Sequence, residues 1–356
     1  MQILSVGRAT PPHRYEQEEL LAAFTAFWAS EHHNPARVSQ LHRAVQVGGR
    51  NLALPMEDYL GLDFSQANDA FIRVGTDIGS QALESALAAA QLKPTDVDAI
   101  FFTTVTGVAA PSIDARIVNR LGLRSDVKRT PIFGLGCVAG TAGIARVADF
   151  LRGWPDKVAV LVSVELCSLT LQRTDLSIPN LIASGLFGDG ASAVVAVGSE
   201  HPCLKEPSSA ERGPRVRASQ SRFYADTERV MGWDIGQNGF KIVLSAEVPA
   251  LVGRHLRQDV DGFLQAQGLQ LSDIQSWVCH SGGPKVLEAV EGALELPKDS
   301  LELSWRSLQE VGNLSSSSVL FVLHDTIREA HPPPGSLGMM IAMGPGFCAE
   351  LVLLEW

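Results

Sequence analysis

The sequence predicts an α/β fold made of two copies of one unit, with a core-buried helix lying between sheets. Three gap-free internal matches carry this prediction. QLKPTDVDAIFFT (from Gln91) lies over GLQLSDIQSWVCH (from Gly268). GCVAGTAGIARVADFL (from Gly136) lies over GNLSSSSVLFVLHDTI (from Gly312), and FGDGASAVVAVGS (from Phe187) over MGPGFCAELVLLE (from Met343). Each half thus runs helix, strand, small-residue helix, strand.

Taken in order, apolar residues at helical spacing predict a helix over 78–90, which leads through an Asp-bearing turn into the strand FFTTV. The small-residue helix then begins at GCVAG, and the half closes on a glycine turn and an apolar strand. In the second half a helix over 251–267 leads through a similar turn into VCH. Ala, Ser and Gly crowd the start of both inner helices because backbones must approach closely there. The polar, proline-bearing stretch 199–221 reads as a linker. It divides an N-terminal half (1–205) carrying the central cysteine from a C-terminal half (206–356).

Composition narrows the function. With 356 residues and 46% hydrophobic content, the chain is long enough for two cores. A net charge of −10 argues against an extended nucleic-acid surface. The apolar N-terminal run is broken by Arg8 and Pro11, too short for a signal peptide. No stretch approaches the roughly 18 apolar residues of a membrane span. Five scattered cysteines without a C-x-x-C pair predict neither a disulfide framework nor a zinc site, and a cytoplasmic location. The nine histidines show no metal-binding spacing, so no metal is expected.

The repeat places Cys137 and Asn313 at matching helix openings. A helix N-terminus offers unpaired N–H groups and partial positive charge, which favour a thiolate. His280 ends the strand VCH and precedes a glycine turn, where α/β folds gather catalytic groups. Cys, His and Asn at element ends read as nucleophile, base and oxyanion donor. The glycines of MGPGF (343–347) let backbone approach a ligand.

GCVAG, HSGGP, GNLSS and GPGF, in this order and together with LFGDGA, resemble the type III polyketide synthases of the chalcone-synthase-like, thiolase-fold superfamily over essentially the whole chain. The resemblance implies a thiolase-like duplicated αβαβα five-layered fold. It implies that Cys137 accepts an acyl group from CoA while His280 and Asn313 hold the thioester carbonyl of malonyl-CoA (or a substituted malonyl-CoA) during decarboxylation. It implies a homodimer working on acyl-CoA and malonyl-CoA without metal, redox cofactor or acyl carrier protein.

Further positions carry over. Phe187 matches the gatekeeper aromatic. Ile242 stands where plant members carry a second one, so a less aromatic entrance is expected. Thr106, Cys167, Thr170 and Ser315 match cavity positions, and Trp233 a position usually glycine in plants. Glu165 matches a buried carboxylate, and Ala110 a residue that reaches into the partner's cavity. The loop Met343, Gly344, Pro345, Gly346 departs from the usual G-F-G-P-G. Arg37 and Arg43 are candidates for the CoA phosphates. Ala110, Ile242 and Cys167 favour a long acyl starter and an alkylpyrone or alkylresorcinol product. A malonyl-primed aromatic product of tetrahydroxynaphthalene or phloroglucinol type is the alternative. An initiating β-ketoacyl-carrier-protein synthase and a non-catalytic acyl-CoA-binding relative also stay open.

Overall fold

The computed structural model describes residues 1–28, 35–205 and 212–356. The expected division between halves, at 205/206, runs into residues outside the described ones. The first half contains β1 (Gln2–Ala9), β2 (His13–Glu16), α1 (Gln17–Phe27), α2 (Pro35–Ala44), β3 (Gly49–Leu52), α3 (Phe64–Ala89), β4 (Ala99–Thr104), α4 (Ile113–Leu121), β5 (Lys128–Phe133), α5 (Ala139–Gly153), β6 (Val158–Leu166), α6 (Ile178–Leu186) and β7 (Asp189–Val197). The second contains β8 (Arg215–Phe223), β9 (Met231–Gly236), β10 (Gly239–Leu244), α7 (Val248–Gln265), β11 (Ile274–Cys279), α8 (Pro284–Leu294), α9 (Glu302–Val311), α10 (Ser318–Asp325), β12 (Leu337–Gly344) and β13 (Cys348–Glu355).

Nine strands form one sheet in the order β11-β12-β13-β8-β1-β7-β6-β4-β5. The duplication is visible in that order: β1, β7, β6 and β4 recur as β8, β13, β12 and β11. The halves join through a single strand pair, Gln2 with Arg215. Parallel pairing of β4 with β6 is repeated by β11 with β12, and antiparallel β6–β7 by β12–β13.

Three apolar clusters separate five layers. Ile100 and Phe102 of β4 face α3 and α4, while Ala99 and Phe101 turn the other way. The inner cluster packs α5 (Ile144, Val147) and α10 (Val319, Val322) against Leu161 and Val194 of one half and Met340 and Val352 of the other. A third cluster covers the outer face of the second half with α7 and α8. Covered on both faces, β6 and β7 are buried along their whole length and are mostly apolar, with Ser163, Glu165, Asp189 and Ser192 as buried polar exceptions.

The first internal match holds without a gap. Tight turns at Pro94–Asp96 and Leu271–Asp273 are closed alike, by Asp96 accepting from Lys93 N and Asp273 from Gln270 N, each at 2.8 Å. Three expectations need correction. Helix α3 starts at Phe64, well before residue 78, because Asp63 and Gln66 form a capping box and small residues (Ala67, Ala70, Gly75) share the buried stripe. The stretch taken as linker runs into β8, a mostly polar strand paired with β13. The second inner helix begins three residues later than the gap-free match places it: turns at Gly136–Val138 and Ser315–Ser317 precede α5 and α10. Asn313 therefore lies ahead of its turn rather than inside it.

The inner helices meet closely. A Cβ on Gly140 would lie 2.3 Å from Ser316 O and 2.6 Å from Val319 Cγ1. Gly140→Val should cost about 1–3 kcal/mol or more by overpacking, read as a lower midpoint in chemical denaturation; an unchanged midpoint would show that α5 and α10 can move apart freely.

Candidate active site

Cys137 sits in the turn before α5 and is buried. The end of β12 presses onto that turn. A Cβ on Gly344 would lie 2.7 Å from both Leu135 O and Val138 N, so only glycine fits there. Cys137 Sγ donates to Ser315 Oγ at 3.7 Å, which links the two turns directly.

His280 follows β11, its backbone N–H donating to Ile341 O at 2.9 Å. Asn313 is clamped against the segment after α6: its N–H donates to Leu186 O (2.9 Å) and its carbonyl accepts from Gly188 N (3.0 Å), bracketing Phe187. The Asn313 side chain accepts from Ser315 N at 2.8 Å and donates one Nδ2–H to Gly282 O at 3.1 Å. An amide carries two such hydrogens, and the other remains for a ligand. Cys137, His280 and Asn313 all line one cavity of about 500 Å³, with Ser315, Met343 and Pro345.

Beneath the cysteine lies a sealed polar core. Glu165 accepts from Thr106 Oγ1 (2.8 Å), Val105 N (3.1 Å) and Ser316 Oγ. Ser163 Oγ meets Ser316 Oγ at 2.7 Å and Ser317 Oγ at 2.8 Å. Burial raises the Glu165 carboxyl above its ordinary range, opposed by those hydrogen bonds. Thr106 is buried and donates its hydroxyl to Glu165, and its neighbour Val105 lines the cavity wall.

Burial pushes the Cys137 thiol up to about 12, with the Ser315 contact pulling the other way, and pushes the His280 imidazole down to about 4. Burial thus works against the thiolate that the helix opening favours, and favours the neutral imidazole at His280. His280 Nδ1 is buried without a hydrogen-bond partner.

Phe187, Trp233 and Ile242 line this cavity and also a second, inner one of about 100 Å³. Cys167 and Thr170 line the inner one only. The dividing wall is aromatic after all: Ile242 pairs with Trp233 across the β9–β10 hairpin, and the Trp233 ring stands 6.4 Å from Phe187. Arg37 and Arg43 are exposed on α2, and Arg43 is paired with Glu18 at 3.2 Å. Ala110 is exposed beyond its own chain's cavity, and Gly346 sits beside the outer rim.

Sequence reasoning missed Arg50, buried in β3 and lining the inner cavity, and Lys285, exposed at the mouth of the outer one. Nothing in Gly-Gly-Arg-Asn marks Arg50 as buried, since arginine is ordinarily at the surface. Lys285 follows HSGGP and could have been found there.

Residues 66–266 match the family described as FAE1/type III polyketide synthase-like protein, and residues 215–355 the C-terminal domain of chalcone and stilbene synthases. A 1,3,6,8-tetrahydroxynaphthalene synthase from Streptomyces peucetius is 51% identical, covering 99% of this chain and 93% of its own. A putative chalcone synthase from Bacillus subtilis is 33% identical over 99% of this chain and 98% of its own. The crystal structure of 1,3,6,8-tetrahydroxynaphthalene synthase from Streptomyces coelicolor superposes with a TM-score of 0.92 at 30% identity, covering 100% of this chain and 99% of that one.

A thiol held up to about 12 by burial loses its proton progressively as pH rises. Alkylation of Cys137 by iodoacetamide should accordingly accelerate about tenfold per pH unit from 7 to 9. A rate already level below pH 7 would instead reveal a preformed thiolate–imidazolium pair.

Proposed function

The chain belongs to the chalcone and stilbene synthase family and is a type III polyketide synthase, and we propose that it is primed by malonyl-CoA and makes a 1,3,6,8-tetrahydroxynaphthalene-type product. The observation that carries this reading is the 51% identity, over nearly the whole chain, to a synthase of that product. Ten ring carbons correspond to five two-carbon units, so malonyl-CoA can supply them all.

In the proposed cycle, Cys137 attacks the starter thioester as its proton passes to His280, and that proton leaves with the departing CoA thiol. A second malonyl-CoA then docks with its thioester oxygen toward His280 and the free Asn313 N–H. Loss of CO2 leaves an enolate whose charge those donors stabilise. An oxyanion donor of this kind is worth roughly 3–4 kcal/mol of barrier. The enolate carbon attacks the acyl-Cys137 carbonyl and expels the Cys137 thiolate, which leaves the chain, longer by two carbons, on CoA; Cys137 then attacks that thioester, taking the chain back and releasing CoA. Cyclisation follows in the apolar cavity behind Phe187 and Trp233. The cycle calls for no metal, redox cofactor or carrier protein.

We assign CoA to the mouth beside α2, where Leu41, Ala44 and Val45 line the cavity and Lys285 stands opposite. Arg37 is the better of the two arginine candidates, since Arg43 is engaged by Glu18. A homodimer is supported by β5, an exposed edge strand ending in the half-exposed Phe133, with Val108 and Ala110, in the loop between β4 and α4, also exposed. No helix among the described residues is long and apolar enough to cross a membrane, and we place the enzyme in the cytoplasm.

The alkylpyrone or alkylresorcinol reading keeps one specific support: Leu20, Phe24 and Phe27 give the inner cavity an apolar wall suited to an alkyl starter. Incubation of the purified protein with malonyl-CoA alone, followed by mass spectrometry, separates the two. A ten-carbon aromatic product is expected; product formed only when an alkanoyl-CoA is added would establish the alkyl starter instead.

A further inference from the structure

The inner cavity contains one feature that its apolar wall does not explain. Arg50 is only 1% exposed. Its Nη2 donates to Ser184 O, but Nε and Nη1 are buried with no hydrogen-bond partner. No described carboxylate lies within ion-pair distance. Asp189, the nearest acidic influence on it, spends its oxygens on Ala53 N (2.6 Å), Ser168 N (2.8 Å) and Ser168 Oγ. The neighbouring His42 is itself buried and held neutral, with its pKa lowered to about 4. A buried guanidinium with free donors is costly unless something anionic or strongly polar meets it.

Chain growth brings such a group there. Each extension inserts two carbons at the thioester on Cys137, so the starter-derived end is pushed steadily away from the cysteine. The space beyond the Phe187–Trp233–Ile242 wall is the inner cavity. We propose that Arg50 makes this cavity a subsite for an anionic oxygen at the starter-derived end of the chain, and so selects oxygenated over alkyl starters. The planar fork of arginine suits two-pronged recognition of a carboxylate or of the enolate of a 1,3-dicarbonyl. An alkyl end would leave the same donors unpaired.

The inference deepens the malonyl-primed reading, which would supply its natural ligand, but can be tested apart from it. Wild type and Arg50→Met are offered glutaryl-CoA (a carboxylate end), acetoacetyl-CoA (a dicarbonyl end) or pentanoyl-CoA (an alkyl end), each with limiting malonyl-CoA. Singly extended products are quantified by mass spectrometry. Wild type should favour at least one oxygenated starter over pentanoyl by tenfold or more, and Arg50→Met should erase that preference. Which oxygenated starter responds identifies the anion. Equal ratios in the two proteins, or a wild-type preference for pentanoyl, would overturn the proposal. Thermal unfolding checks that the variant folds; should it not, Arg50→Lys, which keeps the charge and loses the fork, takes its place and should reduce the preference several-fold. A wild type idle on malonyl-CoA alone would refute malonyl priming while leaving the three-starter comparison decisive for Arg50.

Discussion

The close approach of α5 and α10 between the two halves of the nine-stranded sheet is the constraint on which the site depends. Gly140 lets the backbone of Ser316 come within reach of α5, and no side chain could stand between them. Because the helices meet near their openings, the turns that precede them meet as well. Cys137 from one half and Ser315 from the other come into contact, with Asn313 two residues beyond. The serines at the start of the second helix continue inward to Ser163 and Glu165, so buried polar side chains at this junction bond one another. A less close crossing would leave three side chains on three separate surfaces.

The same burial sets the chemistry. Burial raises the Cys137 thiol and lowers the His280 imidazole, so desolvation favours the neutral form of each. Asn313 is held by backbone on both sides and by Gly282, so its remaining N–H is oriented before any substrate arrives. The clamp on Asn313 also fixes Phe187, which ties the oxyanion donor to the wall of the inner cavity.

What was legible in the sequence was what is local or repeated. The matched capping turns after α3 and α7 superpose because Asp96 and Asp273 act within three residues of their partners. Cys137, His280 and the Gly-Pro-Gly loop could be found because motif and element end coincide. The three-residue slip before α10 was invisible, since Asn-Leu-Ser-Ser-Ser-Ser carries no periodicity to show where the turn ends and the helix begins. Trp233 facing Phe187 depends on the register of a hairpin, and Arg50 on tertiary burial that its residue type argues against. Thr106 and Val105 differ by one position along an extended stretch, enough to exchange cavity wall for buried network.

The central claim is that the two halves contribute separable functions to one site: a nucleophile from the first, an enolate-stabilising pair from the second. Release of CO2 from malonyl-CoA, measured without product formation, tests this directly. Cys137→Ala should still release CO2 while making no condensed product, and Asn313→Ala should lose CO2 release by about 10²–10³. Loss of CO2 release in Cys137→Ala with its retention in Asn313→Ala would contradict the account.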